Sequence, residues 1–136
     1  MIYAGLATTG ANSEQMAQML QQKKPGMALN FRNSTLSVSA MKYLTNSMAN
    51  SAFYLTALSF KFCYLSFDDL LLLSDGIKFN KTMIKLDLSS NALKSCMVKF
   101  FFESLLDNYC LAHLDLSSNF LDNEFAVDLA HLLEQN

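Results

Sequence analysis

The sequence predicts an α/β fold in which short strands and helices alternate along the whole chain, and two observations predict it. The first is a phrase written twice: Leu86-Asp87-Leu88-Ser89-Ser90-Asn91-Ala92-Leu93 returns 28 residues later as Leu114-Asp115-Leu116-Ser117-Ser118-Asn119-Phe120-Leu121. The second is the apolar stripe downstream of each copy. Met97, Phe101 and Leu105, then Phe125, Leu129 and Leu133, recur every four positions and keep one face of a helix apolar. One strand and one helix per unit account for both, and like units stacked side by side bury a continuous core.

Each residue type in the phrase has a physical task. Strand side chains alternate between faces, so Leu86 and Leu88 point inward while Lys85, Asp87 and Ser89 point outward. The chain must then turn without leaving buried backbone groups unpaired. Asn91 and Asn119 suit that position because an amide both donates and accepts, and stacking would set such residues in one buried ladder. Leu93 or Leu121 re-enters the core before the helix begins, and Asn108 and Asn136 come after the helices at matching positions.

The pattern Leu-x-Leu-x-x-Asn-x-Leu, preceded by an apolar Met83 or Leu111, resembles that of leucine-rich repeat proteins, and the unit length with a full helix resembles their ribonuclease-inhibitor subtype. The resemblance is strongest from Leu55 to Asn136 and weaker before Leu29. It implies a curved solenoid with parallel strands on the concave face and helices on the convex one. It also implies a protein-binding role, in a family that includes enzyme inhibitors, GTPase-activating proteins, innate-immune receptors, actin regulators and ciliary scaffold components. Cysteine substitutes for asparagine at the ladder position of this pattern, which gives Cys63 a place.

In chain order the frame divides residues 1–136 into five units of one domain: 1–26, 27–54, 55–82, 83–110 and 111–136. The first is degenerate: Met1, Tyr3, Leu6 and Thr8 make a poor strand and turn, while Asn12, Met16 and Leu20 fit a helix over 12–23, stopped by Pro25-Gly26. The second carries Leu29, Phe31, Ser34, Leu36, Leu44 and Met48, reached by a step of 29, with a strand over 29–32 and a helix over 40–50. In the third, Leu58, Phe60, Cys63, Leu65, Leu73 and Ile77 imply a strand over 57–61 and a helix over 68–78, opened by Ser66 ahead of Asp68 and Asp69. The last two units place strands at 85–88 and 113–116 and helices at 95–107 and 123–135, with Ser95 and Asp122 as N-caps. Strands spaced by about 4.8 Å and helices by about 8 to 10 Å force such a stack to curve. Neither end has a polar capping unit, so Leu116, Phe120, Leu121 and Phe125 are expected to be partly uncovered, as in a fragment, a short isoform or one part of an assembly. Self-association through the uncapped ends is a further expectation.

Composition narrows the function. With 51% apolar residues, 16% charged residues, a net charge of −2 and no Lys/Arg cluster, neither nucleic acid nor an anionic membrane is the expected partner. No secretory leader is evident, and the Leu70–Leu73 run is far below the roughly 18 apolar residues of a spanning helix. A cytoplasmic protein is expected, with nucleus or cilium as alternatives. Cys63, Cys96 and Cys110, odd in number, are expected as reduced thiols without metal-ligand spacing. His113 and His131 have no nucleophile in the frame beside them. The chain is therefore expected to be no enzyme, with no catalytic residue, cofactor or metal. Asp87 and Asp115 fall on neighbouring strands and form a candidate cation pair, yet both belong to the repeated phrase and are explained as solvated positions. Asn33-Ser34-Thr35 and Asn80-Lys81-Thr82 match the glycosylation pattern and, without a leader, are read as coincidence.

The expected role is a non-catalytic intracellular scaffold that binds a protein. Its concave row would be Asn30, Arg32, Ser59, Lys61, Lys85, Asp87, His113 and Asp115, running from basic to acidic. An enzyme regulator of inhibitor or GTPase-activating type, for which Arg32 is the sole arginine candidate, and a cytoskeletal or ciliary scaffold component are the alternatives. On the helix side the apolar residues exceed one inward stripe. Either wide grooves absorb Leu71 and Phe102 as satellite core, or Leu72 and Phe100, 28 residues apart, form an exposed docking patch.

Overall fold

A computed structural model describes residues 3–5, 13–20, 26–50 and 54–135. Strands and helices alternate: β1 (Tyr3–Gly5), α1 (Ser13–Leu20), β2 (Met27–Asn30), α2 (Val38–Ala49), β3 (Leu55–Ser59), α3 (Phe67–Lys78), β4 (Lys85–Asp87), α4 (Ser95–Leu105), β5 (His113–Asp115) and α5 (Asn123–Gln135). The strands form one parallel sheet in chain order, β1-β2-β3-β4-β5, so the fold is α/β with a helical crossover between each strand and the next. The expectations on Met1, Leu6, Thr8, Asn12, Pro25 and Asn136, and on the side chain of Met16, fall outside the described residues.

Register follows the repeated phrase. Leu58 faces Leu86 and Leu86 faces Leu114, each an offset of 28. Between β2 and β3 the offset is 28 at Met27 with Leu55 and 29 from Ala28 with Ala57 onward, the extra residue being taken up by an irregularity between Met27 and Ala28. The first pairing departs from the frame. Tyr3 faces Ala28 and Ala4 faces Leu29, an offset of 25 in place of 28.

Two expected strands shift as well. β2 and β3 end at Asn30 and Ser59, before Phe31 and Phe60, because the Asn30 Oδ1 accepts the Arg32 N–H at 3.0 Å and the Ser59 Oγ accepts the Lys61 N–H at 3.4 Å, turning the chain early. Both phenylalanines still point inward, almost fully buried, with rings stacked at 5.3 Å. Helix starts are set by their caps. Ser66 and Asp69 form a reciprocal capping box on α3, Ser37 opens α2 two residues earlier than expected, and the Asp122 Oδ1 accepts the Glu124 N–H at 3.0 Å. Ser95 does not cap α4: Lys94 holds that position without a side-chain bond, and the Ser95 hydroxyl instead donates to Asp122 at 2.7 Å, tying the start of α4 to that of α5.

The core runs between sheet and helices and is tightest in its middle, where Met83, Leu86, Leu88, Leu93, Val98 and Phe101 are 0% exposed. Gly76 lets α3 lie close on α2, since a Cβ there would sit 3.0 Å from both the Cβ and the carbonyl oxygen of Thr45. At the far end burial weakens. Leu114, Leu116, Leu121, Phe125 and Leu129 are half-buried and Phe120 is 70% exposed. Leu133, expected inward, is 69% exposed and Leu132 is the buried residue of α5. A spacing of four overshoots the helical period by about 40° at each step, so Phe125 and Leu132, seven apart, share a face better than Phe125 and Leu133.

Candidate functional site

The turns after the strands are built on a chain of side-chain amides and one thiol. The Asn91 Oδ1 accepts from the N–H groups of Cys63 at 2.9 Å and Leu65 at 3.4 Å, and its Nδ2 donates to the carbonyls of Phe60, Leu88 and Ser89. Asn119 repeats this one unit on, accepting from Asn91 and Leu93 and donating to Leu88 and Leu116. Cys63 stands in the same row. Its Sγ donates to the Phe31 carbonyl at 2.9 Å, and burial pushes its thiol up, so it is a packed structural group and a poor nucleophile. The residue one place before each of these, Phe62, Ser90 and Ser118, has a left-handed backbone with φ of 57°, 58° and 55°, as does Asn33 at 58° before Ser34.

A second row was only partly read from the sequence, which matched Asn108 with Asn136 but left out Asn80. Asn80, 2% exposed, accepts from the N–H groups of Thr82 and Met83 and donates to the Met48 carbonyl. Asn108 does the same for Cys110 and Leu111, donating to Ile77 and to Asn80. The glycosylation match at Asn80 is thus a buried bracket between helix and strand. Only its distance of 28 from Asn108 could have revealed it.

On the outer face of the sheet, four of the expected binding residues share one local duty. Asn30, Ser59, Asp87 and Asp115 each accept, on a side-chain oxygen, from the backbone amide two positions on, that of Arg32, Lys61, Ser89 and Ser117 in turn. The Ser59 hydroxyl also donates to Asp87 at 3.1 Å. The Ser117 hydroxyl and amide hold the Asp115 carboxyl below its usual range, with smaller help from the charges of Lys61 and Lys85. The carboxylates of Asp87 and Asp115 therefore serve turns, and among the described residues no group of three His, Cys, Asp or Glu side chains could hold a metal ion.

The remaining members of the row behave differently. Lys85 and His113 are exposed on β4 and β5. Arg32 and Lys61 converge: the guanidinium carbon of one and the Nζ of the other each lie 5.6 Å from the centroid of the Phe62 ring. Phe62, 38% exposed, was not singled out from the sequence. Its left-handed backbone turns the ring out of the inward phase of the strand, beside Tyr64 at 80% exposure. Among the described residues of this face, the aromatic flanked by two cations is the one place where charge and apolar surface are held together.

The helix side also differs from expectation. Leu72 is half-buried and packs on the core, whereas Leu71 is 38% exposed. At about 100° per residue, the two leave α3 on opposite flanks of the buried Leu70, Leu73 and Ile77, and only the flank of Leu72 is covered. Phe102 is buried against Phe125, their rings 5.2 Å apart. Phe100, 49% exposed, meets Phe67 edge-on at 5.7 Å. Of the expected pair, Phe100 is thus exposed and Leu72 half-buried.

His131 lies exposed on α5 with its Nε2 2.9 Å from the Gln135 amide nitrogen, and Cys96 is exposed on α4. No described helix is long and apolar enough to cross a membrane. No family model matches this chain, and none of the curated proteins compared with it is significantly similar.

Proposed function

We propose that this chain is a leucine-rich repeat solenoid of the ribonuclease-inhibitor kind, five units long, that binds a protein partner and carries out no chemistry of its own. The binding surface is the concave face, and its centre is Phe62 with Arg32 and Lys61. The observation that supports this is the placement of both cations at 5.6 Å from one exposed aromatic ring, while Asn30, Ser59, Asp87 and Asp115 are engaged in closing their own turns. Aromatic residues and arginine dominate the energetics of protein interfaces. A cation already lying on a ring is pre-oriented and loses little freedom when a carboxylate arrives. The partner that fits is a protein segment presenting an acidic side chain next to an apolar one.

Selection from a display library of peptides, followed by calorimetry, tests it. Selected sequences are expected to pair an acidic with an apolar residue. Phe62→Ser and Arg32→Glu should each weaken binding about tenfold or more, equivalent to about 1.4 kcal/mol, with melting unchanged because both positions are exposed. Phe100→Ser, on the helix side, should leave binding intact. Peptides that bind both variants as well as the parent protein would discard this face.

A further inference from the structure

The open edge beyond β5 and α5 is complementary to itself. Leu88 N–H donates to the Asp115 carbonyl at 2.8 Å and Ser90 N–H to that of Ser117 at 2.9 Å, so Asp115 and Ser117 face β4. In a parallel ladder the intervening residues face the other way, so Leu114 turns its N–H and C=O groups to a side where no described strand lies, as does Leu116, whose carbonyl accepts from the Asn119 amide. Behind that edge, between β5 and α5, is a cavity of about 540 Å³ lined by Leu111, Leu114, Leu116, Leu121, Phe125 and Leu129 among others. An unpaired strand edge beside an apolar opening is unstable in water unless something covers it.

We propose that a second copy of this chain covers it, joined antiparallel through β5 and α5 about a two-fold axis. The sequence of the edge selects this occupant. β5 reads His113-Leu114-Asp115, so antiparallel pairing centred on Leu114 lets the two Leu114 residues exchange both backbone bonds. The same pairing sets His113 opposite Asp115 of the second copy, twice, on the exposed face. On α5, Phe125, Leu129 and Leu133 are symmetric about Leu129, so antiparallel helices place Phe125 of one copy against Leu133 of the other. Leu114 and Leu129 line the same cavity, and one axis passing through it serves both elements. An unrelated strand would satisfy the backbone edge but would leave these two palindromes unmatched. The pair closes on itself, as a two-fold interface must, and joins two five-stranded sheets into one. A net charge of −2 per chain opposes it little.

Light scattering after gel filtration of the full chain at about 100 µM should give twice the 15.2 kDa chain mass. Leu133→Glu and His113→Asp change exposed positions, so each should keep the melting temperature of the dilute, unpaired chain while raising the dissociation constant at least tenfold. His113→Asp mixed with Asp115→Lys should restore pairing, because one junction then joins the introduced carboxylate to the introduced ammonium and the other keeps the native His113 opposite Asp115. A single-chain mass at this concentration, a mass that keeps growing with concentration as in head-to-tail stacking, or dimers indifferent to Leu133→Glu and His113→Asp would each overturn the proposal.

Discussion

The Asn91 side chain makes five hydrogen bonds at 3% exposure, and the carbonyls of Phe60, Leu88 and Ser89 and the N–H groups of Cys63 and Leu65 depend on it. Removing its amide takes this partner from the Phe60 carbonyl and the Cys63 and Leu65 N–H groups, at about 1 to 3 kcal/mol for each that water cannot reach, while Leu88 keeps the Asn119 amide and Ser89 the Phe62 N–H. Asn91→Ala is therefore expected to lose about 3 kcal/mol or more in urea denaturation. Asn91→Cys should lose less, since Cys63 already serves the same row through its thiol. A loss below about 1 kcal/mol for the alanine variant would mean that the row is not a structural support. Asn91, Asn119 and Cys63 were legible in the sequence because the phrase around them repeats at a fixed distance. Asn80 and Asn108 do equivalent work but sit in turns whose flanking residues differ, Lys81-Thr82 against Tyr109-Cys110, so a short glycosylation match stood in for a structural role. Phe62 was hidden for another reason. Its exposure rests on a φ of 57°, and a phenylalanine does not signal a left-handed backbone in the way that glycine would.

At the level of elements, helix and strand order came directly from apolar spacing, since spacings of two and four separate strand from helix even in short segments. What spacing does not contain is which flank of a helix is covered. Leu71 and Leu72 on α3 are chemically identical, and only the position of the neighbouring elements leaves one exposed and the other packed. The same limit hid Gly76, a helix-interior glycine that propensity alone marks as a weakness. The contact at 3.0 Å to Thr45 reverses that judgement, because a backbone carbonyl and a buried β-branched side chain are both there and neither yields easily. Gly76→Ala gains helix propensity of about 1 kcal/mol and should lose more than that through the clash, about 1 to 3 kcal/mol. The expected outcome is a lowered melting temperature, and adding Thr45→Ser should not recover it, because the atoms met are the Thr45 Cα, Cβ and carbonyl oxygen, which serine keeps. A single variant more stable than the parent would show that α2 and α3 move apart at no cost.

Over the whole molecule, burial is graded. Helices α2, α3 and α4 each bury several side chains between neighbours on both sides, whereas Leu132 is the one buried residue of α5. The Ser95 to Asp122 bond at 2.7 Å and the ring contact of Phe102 with Phe125 hold α5 to α4, but its other flank opens on the cavity beside β5. Amide protection measures the free energy of the local opening that exposes each group, and that free energy falls where buried apolar contact falls. In a dilute sample, amides of α5 are therefore expected to exchange by local opening well before those of α3 and α4. The gradient and the proposed pairing make a joint demand. If a second copy covers the edge, protection of α5 and of Leu114 must rise with protein concentration, while that of α3 stays fixed. The rise should track the dissociation constant found by light scattering and disappear in Leu133→Glu. Hydrogen exchange monitored by mass spectrometry across a hundredfold range of concentration reads this directly. Concentration-independent protection of α5 at the level of α3 would remove both the graded stability and the need for a cover. Low protection at every concentration would keep the gradient and discard the pair.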